Sequence, residues 1–100
     1  MNRIALTLFA LTMATAAQAA ERQAQIEVSE LFCPSCPYIA AQAIRDVGST
    51  DIVEVDYDQG AEKAVYLVTY DDAVTSAEAI AAAPGEYGYP GRVLGDAPQS

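Results

Sequence analysis

Residues 36–70 read CPYIAAQAIRDVGSTDIVEVDYDQGAEKAVYLVTY, and the spacing of the apolar residues changes within this stretch. The first part carries an apolar stripe at helical spacing, made of Ile39, Ala40, Ala43, Ile44 and Val47. Gly48 is typical of a residue that ends a helix. The second part alternates apolar and polar residues at 53–58 and again at 64–70, with a turn at 58–62 between them. We therefore predict one helix followed by a β-hairpin.

The flanking residues add three further elements to this centre. Ala24, Ile26 and Val28 alternate with polar residues and predict a strand before the helix. The stretch Thr75-Ser76-Ala77-Glu78 fits a capping box, so a second helix should begin there and end at Pro84-Gly85. A last strand is expected at 87–94, where Pro90 favours a sheet edge because proline donates no ladder hydrogen bond.

The predicted order is strand, helix, strand, strand, helix, strand. This order is typical of the α+β class, as a ferredoxin-like βαββαβ sandwich. We expect one four-stranded antiparallel sheet with two helices on one face. The first and third strands should be central, and Tyr66, Val68 and Tyr70 should point into the core from the third strand.

Composition excludes one class of partner. The chain has 100 residues with 14 acidic and 5 basic side chains, no histidine and a formal net charge of −9. No basic patch is available to neutralise phosphates, so no nucleic acid is expected as a partner. We interpret the acidity as a solvated surface, and an electric field that concentrates cations is the alternative.

The first residues have the pattern of a secretory signal peptide. Arg3 precedes an uncharged, largely apolar run at 4–14, and Ala17-Gln18-Ala19 fits a small-residue cleavage site. The run is short for a membrane span, which needs about 20 residues, so an uncleaved anchor is the weaker alternative. We predict a signal peptide at 1–19, a single domain at 20–100 and a periplasmic location.

The chain has only two cysteines, Cys33 and Cys36, three positions apart. Such a pair can hold a soft metal ion, exchange electrons as a dithiol or close as a local disulfide. A structural disulfide stabilises most when it closes a long loop, and this pair closes almost none. Cys36 also opens the predicted helix, where partial positive charge favours the thiolate. A chemical role is therefore favoured over a structural one.

The number of available ligands restricts the metal. A structural zinc site takes four ligands, usually cysteine or histidine, and no histidine is present. Two thiolates suit one soft metal ion of low coordination number, Hg(II) or Cu(I). The spacing also fits a thiol-disulfide oxidoreductase, which is the alternative function. A metal-sensing or protein-interaction module with a vestigial site is a third possibility.

Five short motifs also follow the order found in a known family. They are Cys33–Pro37, Ala43-Ile44 before Val47, Val68–Asp72, Thr75-Ser76 and Gly88–Pro90. In these the sequence resembles the heavy-metal-associated domain family, over nearly all of the chain beyond the predicted signal peptide. Within that family it is most similar to the periplasmic mercury-binding proteins of bacterial mercury-resistance systems.

The resemblance implies a metal carrier with Cys33 and Cys36 as the metal ligands, and no enzyme and no catalytic residues. It implies that the ion passes to a membrane transporter by thiol exchange during transient docking, and we expect a monomer. Tyr89 matches an aromatic residue that lies near the metal loop in the family. The chain has Glu30-Leu31-Phe32 where the family usually has Gly-Met-Thr. We expect Leu31 to be a buried apolar plug and Phe32 a loop hydrophobe that contacts a partner or the core.

Overall fold

The computed structural model describes residues 21–97, so the predicted signal peptide at 1–19 lies outside the described residues. The elements are β1 (Glu21–Val28), α1 (Cys36–Arg45), β2 (Asp51–Asp58), β3 (Lys63–Asp71), α2 (Ala77–Ala82), a 3₁₀ helix (Ala83–Tyr87) and β4 (Gly91–Ala97). Within residues 21–97, no helix has the length and apolar character needed to cross a bilayer.

The four strands form one antiparallel sheet in the order β2-β3-β1-β4. The predicted ferredoxin-like βαββαβ fold is confirmed, with β1 and β3 in the centre and both helices on one face. The expectation that the proline-containing end of the chain supplies an edge strand is also confirmed, since β4 pairs only with β1 within the described residues.

The core lies between the helices and the two central strands. Alternate residues of β1 and β3 are buried, and Ile26, Tyr66 and Val68 have no exposed surface. Ile44 of α1 and Ile80 of α2 meet them from the helix side with no exposed surface either. Full burial of each such aliphatic side chain contributes about 1.5–3 kcal/mol, so these positions hold the helices on the sheet.

The edge strand β2 forms where alternation predicts it, and its apolar side chains are largely exposed. Its apolar residues Val53, Val55 and Tyr57 are 57%, 44% and 37% exposed. Helix α1 packs on the central strands through Ala40 and Ile44, and an open groove lined by Tyr38, Ala41 and Arg45 lies between α1 and β2. The strand also has a register shift between Ile52 and Glu54, so Val53 has no partner on β3.

Helix boundaries shift by a few residues from the predicted ones. Helix α1 ends at Arg45 with Asp46 as its C-cap, ahead of Gly48. The cap of α2 is Ser76, whose hydroxyl accepts a hydrogen bond from the backbone N–H of Ala79 at 3.1 Å. The predicted capping box, Thr75 with Glu78, places the cap one residue early; Ser76 caps the helix although it has Ala79 and not a glutamate three residues later.

The last strand begins later than predicted. After α2 the chain continues through Pro84 and Gly85 as a 3₁₀ helix that reaches Tyr87. Gly88 then reverses the chain with a φ of 92°, a left-handed conformation that glycine adopts without steric cost. Strand β4 therefore starts at Gly91, and Pro90 lies just ahead of it.

Candidate metal centre

The two cysteines lie at the end of a loop that joins β1 to α1, and this loop is attached at two points. The backbone N–H of Ser29 donates to the carbonyl of Pro90 at 3.0 Å, and that of Leu31 donates to the carbonyl of Glu62 at 2.9 Å. Leu31 is 1% exposed, which confirms it as a buried plug. Between these anchors Glu30 adopts a φ of 62°, a left-handed conformation that is unfavourable for a residue with a Cβ.

Helix α1 begins directly at the cysteine pair. Its N-cap is Ser35, whose carbonyl accepts from the N–H groups of Tyr38 and Ile39, and whose side chain makes no capping bond. Pro37 stands in the first turn and has no N–H to leave unpaired, as expected from the sequence. The N–H of Cys36 donates to the carbonyl of Cys33 at 3.0 Å. The first-turn donors are thus occupied by backbone carbonyls.

Cys33 and Cys36 form a disulfide, with their Cα atoms 5.1 Å apart. The sequence leaves open whether this pair is a disulfide or a dithiol, and the structure describes the oxidised form. The two residues differ in accessibility: Cys36 is 4% exposed, whereas Cys33 is only partly buried. Cys33 is therefore the more accessible of the two residues.

The sulfur of Cys36 accepts two hydrogen bonds. The backbone N–H of Cys33 donates to it at 3.2 Å, and so does the phenol of Tyr89 at 3.2 Å. The sulfur of Cys33 lies 3.7 Å from the hydroxyl of Ser35. Hydrogen-bond donors stabilise a thiolate more than a thiol. In the reduced protein these two donors would therefore favour the thiolate form of Cys36.

The aromatic residues near the loop fall into two groups. Tyr89 packs on the core beside the cysteines, so the position expected from the family resemblance is confirmed. Phe32 and Tyr38 instead are 68% and 76% exposed. Phe32 therefore does not pack in the core, which was one of the two contacts expected for it. The other, a contact with a partner, stays a prediction.

Tyr66 contacts the start of α1. The sequence analysis predicts that Tyr66 lies in the core and does not predict this contact. Its hydroxyl donates to the carbonyl of Pro37 at 2.7 Å, and the side chain is completely buried. Burial raises the pKa of Tyr66 to about 12, and the nearby Arg45 opposes this shift. A sequence signal exists, because a buried tyrosine needs a partner for its hydroxyl.

The donor set limits the ions that the site can hold. Within residues 21–97, no cluster of three or more histidine, cysteine, aspartate or glutamate side chains is arranged to hold a metal ion. A zinc shell of four protein ligands therefore has no counterpart in this part of the chain. Two thiolates released by reduction of the disulfide fit a soft ion of low coordination number.

Sequence comparison gives the family. The chain is 32% identical over 75 residues to the mercuric transport protein periplasmic component of an Alcaligenes species, an alignment that spans 75% of this chain and 78% of that protein. The protein of the same description from Pseudomonas aeruginosa aligns with equal identity and coverage. The chain belongs to the heavy-metal-associated family, in the branch of the mercuric transport periplasmic components. No family model matches its sequence.

Solved structures of the heavy-metal-associated family share the fold. Oxidised MerP from Ralstonia metallidurans CH34 is 32% identical, with a TM-score of 0.58 over 75% of this chain and 99% of that chain. A copper-binding domain from HMA7, a P-type ATPase, is 19% identical with a TM-score of 0.58 over 75% of this chain and 96% of its own, and it supports the fold alone. These similarities are to metal-binding and transport proteins, and they give no support to the oxidoreductase alternative.

Proposed function

We propose that the protein is a periplasmic carrier of one soft metal ion, Hg(II) or Cu(I), which it binds through the thiolates of Cys33 and Cys36. The observation that carries the proposal is the position of both sulfurs, which meet at the N-terminus of α1 beside an exposed loop. Membership of the mercuric transport branch favours Hg(II) as the ion. On this proposal the protein performs no catalysis, and the metal is its cargo.

Loading requires reduction of the disulfide. A dithiol reductant supplies two electrons and two protons, becomes a disulfide itself and leaves Cys33 and Cys36 as thiols. Binding of Hg(II) then forms two metal–sulfur bonds and releases the two thiol protons. The donors to the Cys36 sulfur, the Tyr89 phenol and the Cys33 N–H, assist the loss of the first proton.

Transfer of the ion follows the difference in accessibility between the two sulfurs. An incoming thiolate of a membrane transporter bonds to the ion, and the bond to the more exposed Cys33 breaks first. A second thiolate of the transporter then displaces Cys36, and each released thiolate takes up a proton. The exposed Phe32 lies next to this approach and offers an apolar contact for transient docking of a monomer.

The periplasmic location rests on two supports of different kinds. Residues 1–19 have the pattern of a cleaved signal peptide. The matched relatives from Alcaligenes and Pseudomonas aeruginosa are described as periplasmic components. We propose cleavage after Ala19, which N-terminal sequencing of the exported protein tests.

Native mass spectrometry of the reduced protein with one equivalent of Hg(II) tests the site. We expect the mass to rise by one mercury minus two protons, and the Cys33→Ser/Cys36→Ser variant to bind nothing under the same conditions. The unreduced protein is the matched control, since its sulfurs are bonded to each other. Unchanged binding by the double variant would show that the ligands lie elsewhere.

Competition among Hg(II), Cu(I) and Zn(II) for the reduced protein identifies the ion. Two thiolates should retain the soft ions and lose Zn(II) to a mild chelator. An insulin-reduction assay distinguishes the carrier function from the oxidoreductase alternative. Rapid turnover in that assay would reject the carrier proposal.

A further inference from the structure

The outer edge of β2 is the most open secondary-structure element of the described chain. Every residue from Asp51 to Asp58 is exposed except Ile52, which is half-buried. The strand pairs with β3 on one side only. Within residues 21–97, no other element pairs with its outer side, so the backbone groups on that side are available to a further strand.

The side chains of β2 form two rows of opposite character. Val55 and Tyr57 point to the helix side of the sheet, opposite the buried Tyr66 and Ala64 of β3, and are 44% and 37% exposed. Glu54, Asp56 and Asp58 lie on the other side, opposite Leu67, Val65 and Lys63 of β3. We call the first set the apolar row and the second set the acidic row.

The apolar row continues into a groove that reaches the cysteine loop. This groove, of about 270 Å³, lies between β2 and α1. Its lining residues include Tyr57, Ala41, Tyr38 and Pro34, and Arg45 is the one charged residue among those that line it. Because Pro34 stands between Cys33 and Cys36, one end of the groove lies directly beside the thiol pair.

The acidic row has no cation of its own in the described structure. The nearest basic side chain on the same face, Lys63, pairs with Glu27 at 3.8 Å, and Arg92 pairs with the same glutamate at 2.8 Å. Glu54 and Asp56 take part in no ion pair within residues 21–97. Positive charge that complements this row therefore has to come from another molecule.

We propose that β2 binds an extended segment of a partner protein in which basic side chains alternate with apolar ones. Such a segment adds a fifth strand to the sheet through main-chain hydrogen bonds. Its basic side chains lie over the acidic row, and its apolar side chains cover the apolar row and enter the groove. This docking needs no metal ion, so it goes beyond the carrier function.

A second copy of this chain is a poor occupant of the same edge. Pairing of β2 with β2 of another copy would bring two acidic rows together on one face of the joined sheet. Like charges on neighbouring strands destabilise the pairing. The net charge of −9 opposes association of two copies as well. Charge complementarity therefore selects a basic partner.

A synthetic peptide as long as β2, with lysine and valine in alternation and both termini blocked, serves as the probe. We expect it to bind the oxidised, metal-free protein with a Kd of about 0.1 mM at low salt and to shift backbone amide signals of residues 51–58 in NMR spectra. The affinity should fall steeply with added salt, since the contacts across the acidic row are exposed. N-methyl groups can be placed on alternate residues of the peptide in two patterns. In the pattern whose methylated nitrogens face β2, the main-chain hydrogen bonds cannot form, and that peptide should not bind.

Two double variants distinguish binding at β2 from attraction to the net charge of the protein. Glu54→Gln/Asp56→Asn should weaken peptide binding about tenfold. Glu78→Gln/Glu86→Gln removes the same charge from exposed positions outside the sheet and should bind like the wild type. Thermal unfolding of each variant checks that the fold is unchanged.

Three results would overturn the proposal. The first is no binding at peptide concentrations up to about 1 mM. The second is an equal loss of affinity for the peptide in both double variants, which would show that the peptide is attracted only by the net charge of the protein. The third is a concentration-dependent dimer in sedimentation that protects β2 amides, which means that a second copy occupies the edge. Since the probe contains no thiol and no metal is added, none of these results bears on the Cys33 and Cys36 site.

Discussion

The hydroxyl group of Tyr89 lies 3.2 Å from the sulfur of Cys36 and donates a hydrogen bond to it, although the two residues are 53 positions apart in the chain. The contact exists because the turn that contains Gly88 brings the segment before β4 back to the start of α1. The backbone N–H of Tyr89 donates to the carbonyl of Pro84 at 3.1 Å and helps to fix the ring. The thiol site is therefore assembled from both ends of the domain.

Tyr89→Phe should raise the pKa of the Cys36 thiol in the reduced protein by about one unit, because a hydrogen bond to a charged group contributes about 1.5 kcal/mol. The measurement is the ultraviolet absorbance of the thiolate against pH in a Cys33→Ser background. Tyr87→Phe is the matched control, since Tyr87 is exposed. An equal shift in both variants would mean that the Tyr89 hydroxyl has no specific effect.

Glu30→Gly should raise the free energy of unfolding by up to about 1 kcal/mol. Glu30 has a φ of 62°, and a residue without a Cβ adopts this conformation with less strain. Urea unfolding of the oxidised protein measures the change. Glu30→Ala removes the same carboxylate but keeps the Cβ, so it should give no gain. A similar gain from alanine would assign the effect to charge.

Gly91→Ala should lower the free energy of unfolding by about 2 kcal/mol, as expected for a steric clash in a packed site. A Cβ at Gly91 would overlap the backbone carbonyl of Ala81 in α2, and neither backbone can move freely. Gly85→Ala is the control, because a Cβ there meets no atom within 4 Å. Thermal and urea unfolding of the two variants should differ clearly, and equal stability would contradict the close packing of α2 on β4.

Tyr66→Phe should change how stability depends on alkaline pH. The folded pKa of Tyr66 is about 12, above the ordinary value of 10.0, so the unfolded chain loses this proton first as pH rises. The wild type should therefore lose about 1.4 kcal/mol of its free energy of unfolding per pH unit between about 10 and 12 from this group. Below pH 10 the contribution is fully present.

The phenylalanine variant lacks this alkaline loss, and at neutral pH it should be about 1–2 kcal/mol less stable because Pro37 loses its donor. Tyr38→Phe, at a position that is 76% exposed, is the control and should follow the wild type at all pH values. Urea unfolding between pH 7 and 11 distinguishes the variants. Parallel pH curves for wild type and Tyr66→Phe would contradict the proposed desolvation.

Much of the fold follows from local patterns in the sequence. Alternation predicts β1 and β3 correctly, because both strands are central and one face of each meets the helices. Alternation in β2 specifies which side chains share a face and not whether another element covers that face, and Val55 and Tyr57 are 44% and 37% exposed. The one-residue error at the α2 cap arises because Thr75 and Ser76 both carry a hydroxyl that can cap a helix, and Glu78 completes the capping-box pattern only with Thr75.

The cysteine site is predicted in part. Spacing and ligand number point to Cys33 and Cys36 and to a soft ion, and the likeness to a known family adds Tyr89. The hydrogen bond of Tyr66 to Pro37 joins residues 29 positions apart, and no local pattern reports such a pairing. The redox state of the cysteines depends on the redox poise of the compartment as well as on the residues around the pair, and the sequence does not contain that poise.

The bond between the N–H of Leu31 and the carbonyl of Glu62 attaches the cysteine loop to the tip of the β2–β3 hairpin. The hairpin tip thus helps to fix the conformation of the cysteine loop. Lengthening or shortening this tip would reshape the approach to the sulfurs while both cysteines stay untouched. The conformation of the cysteine loop thus depends on a turn that contains no cysteine, and that turn offers protein engineers a position for changes outside the Cys-x-x-Cys motif itself.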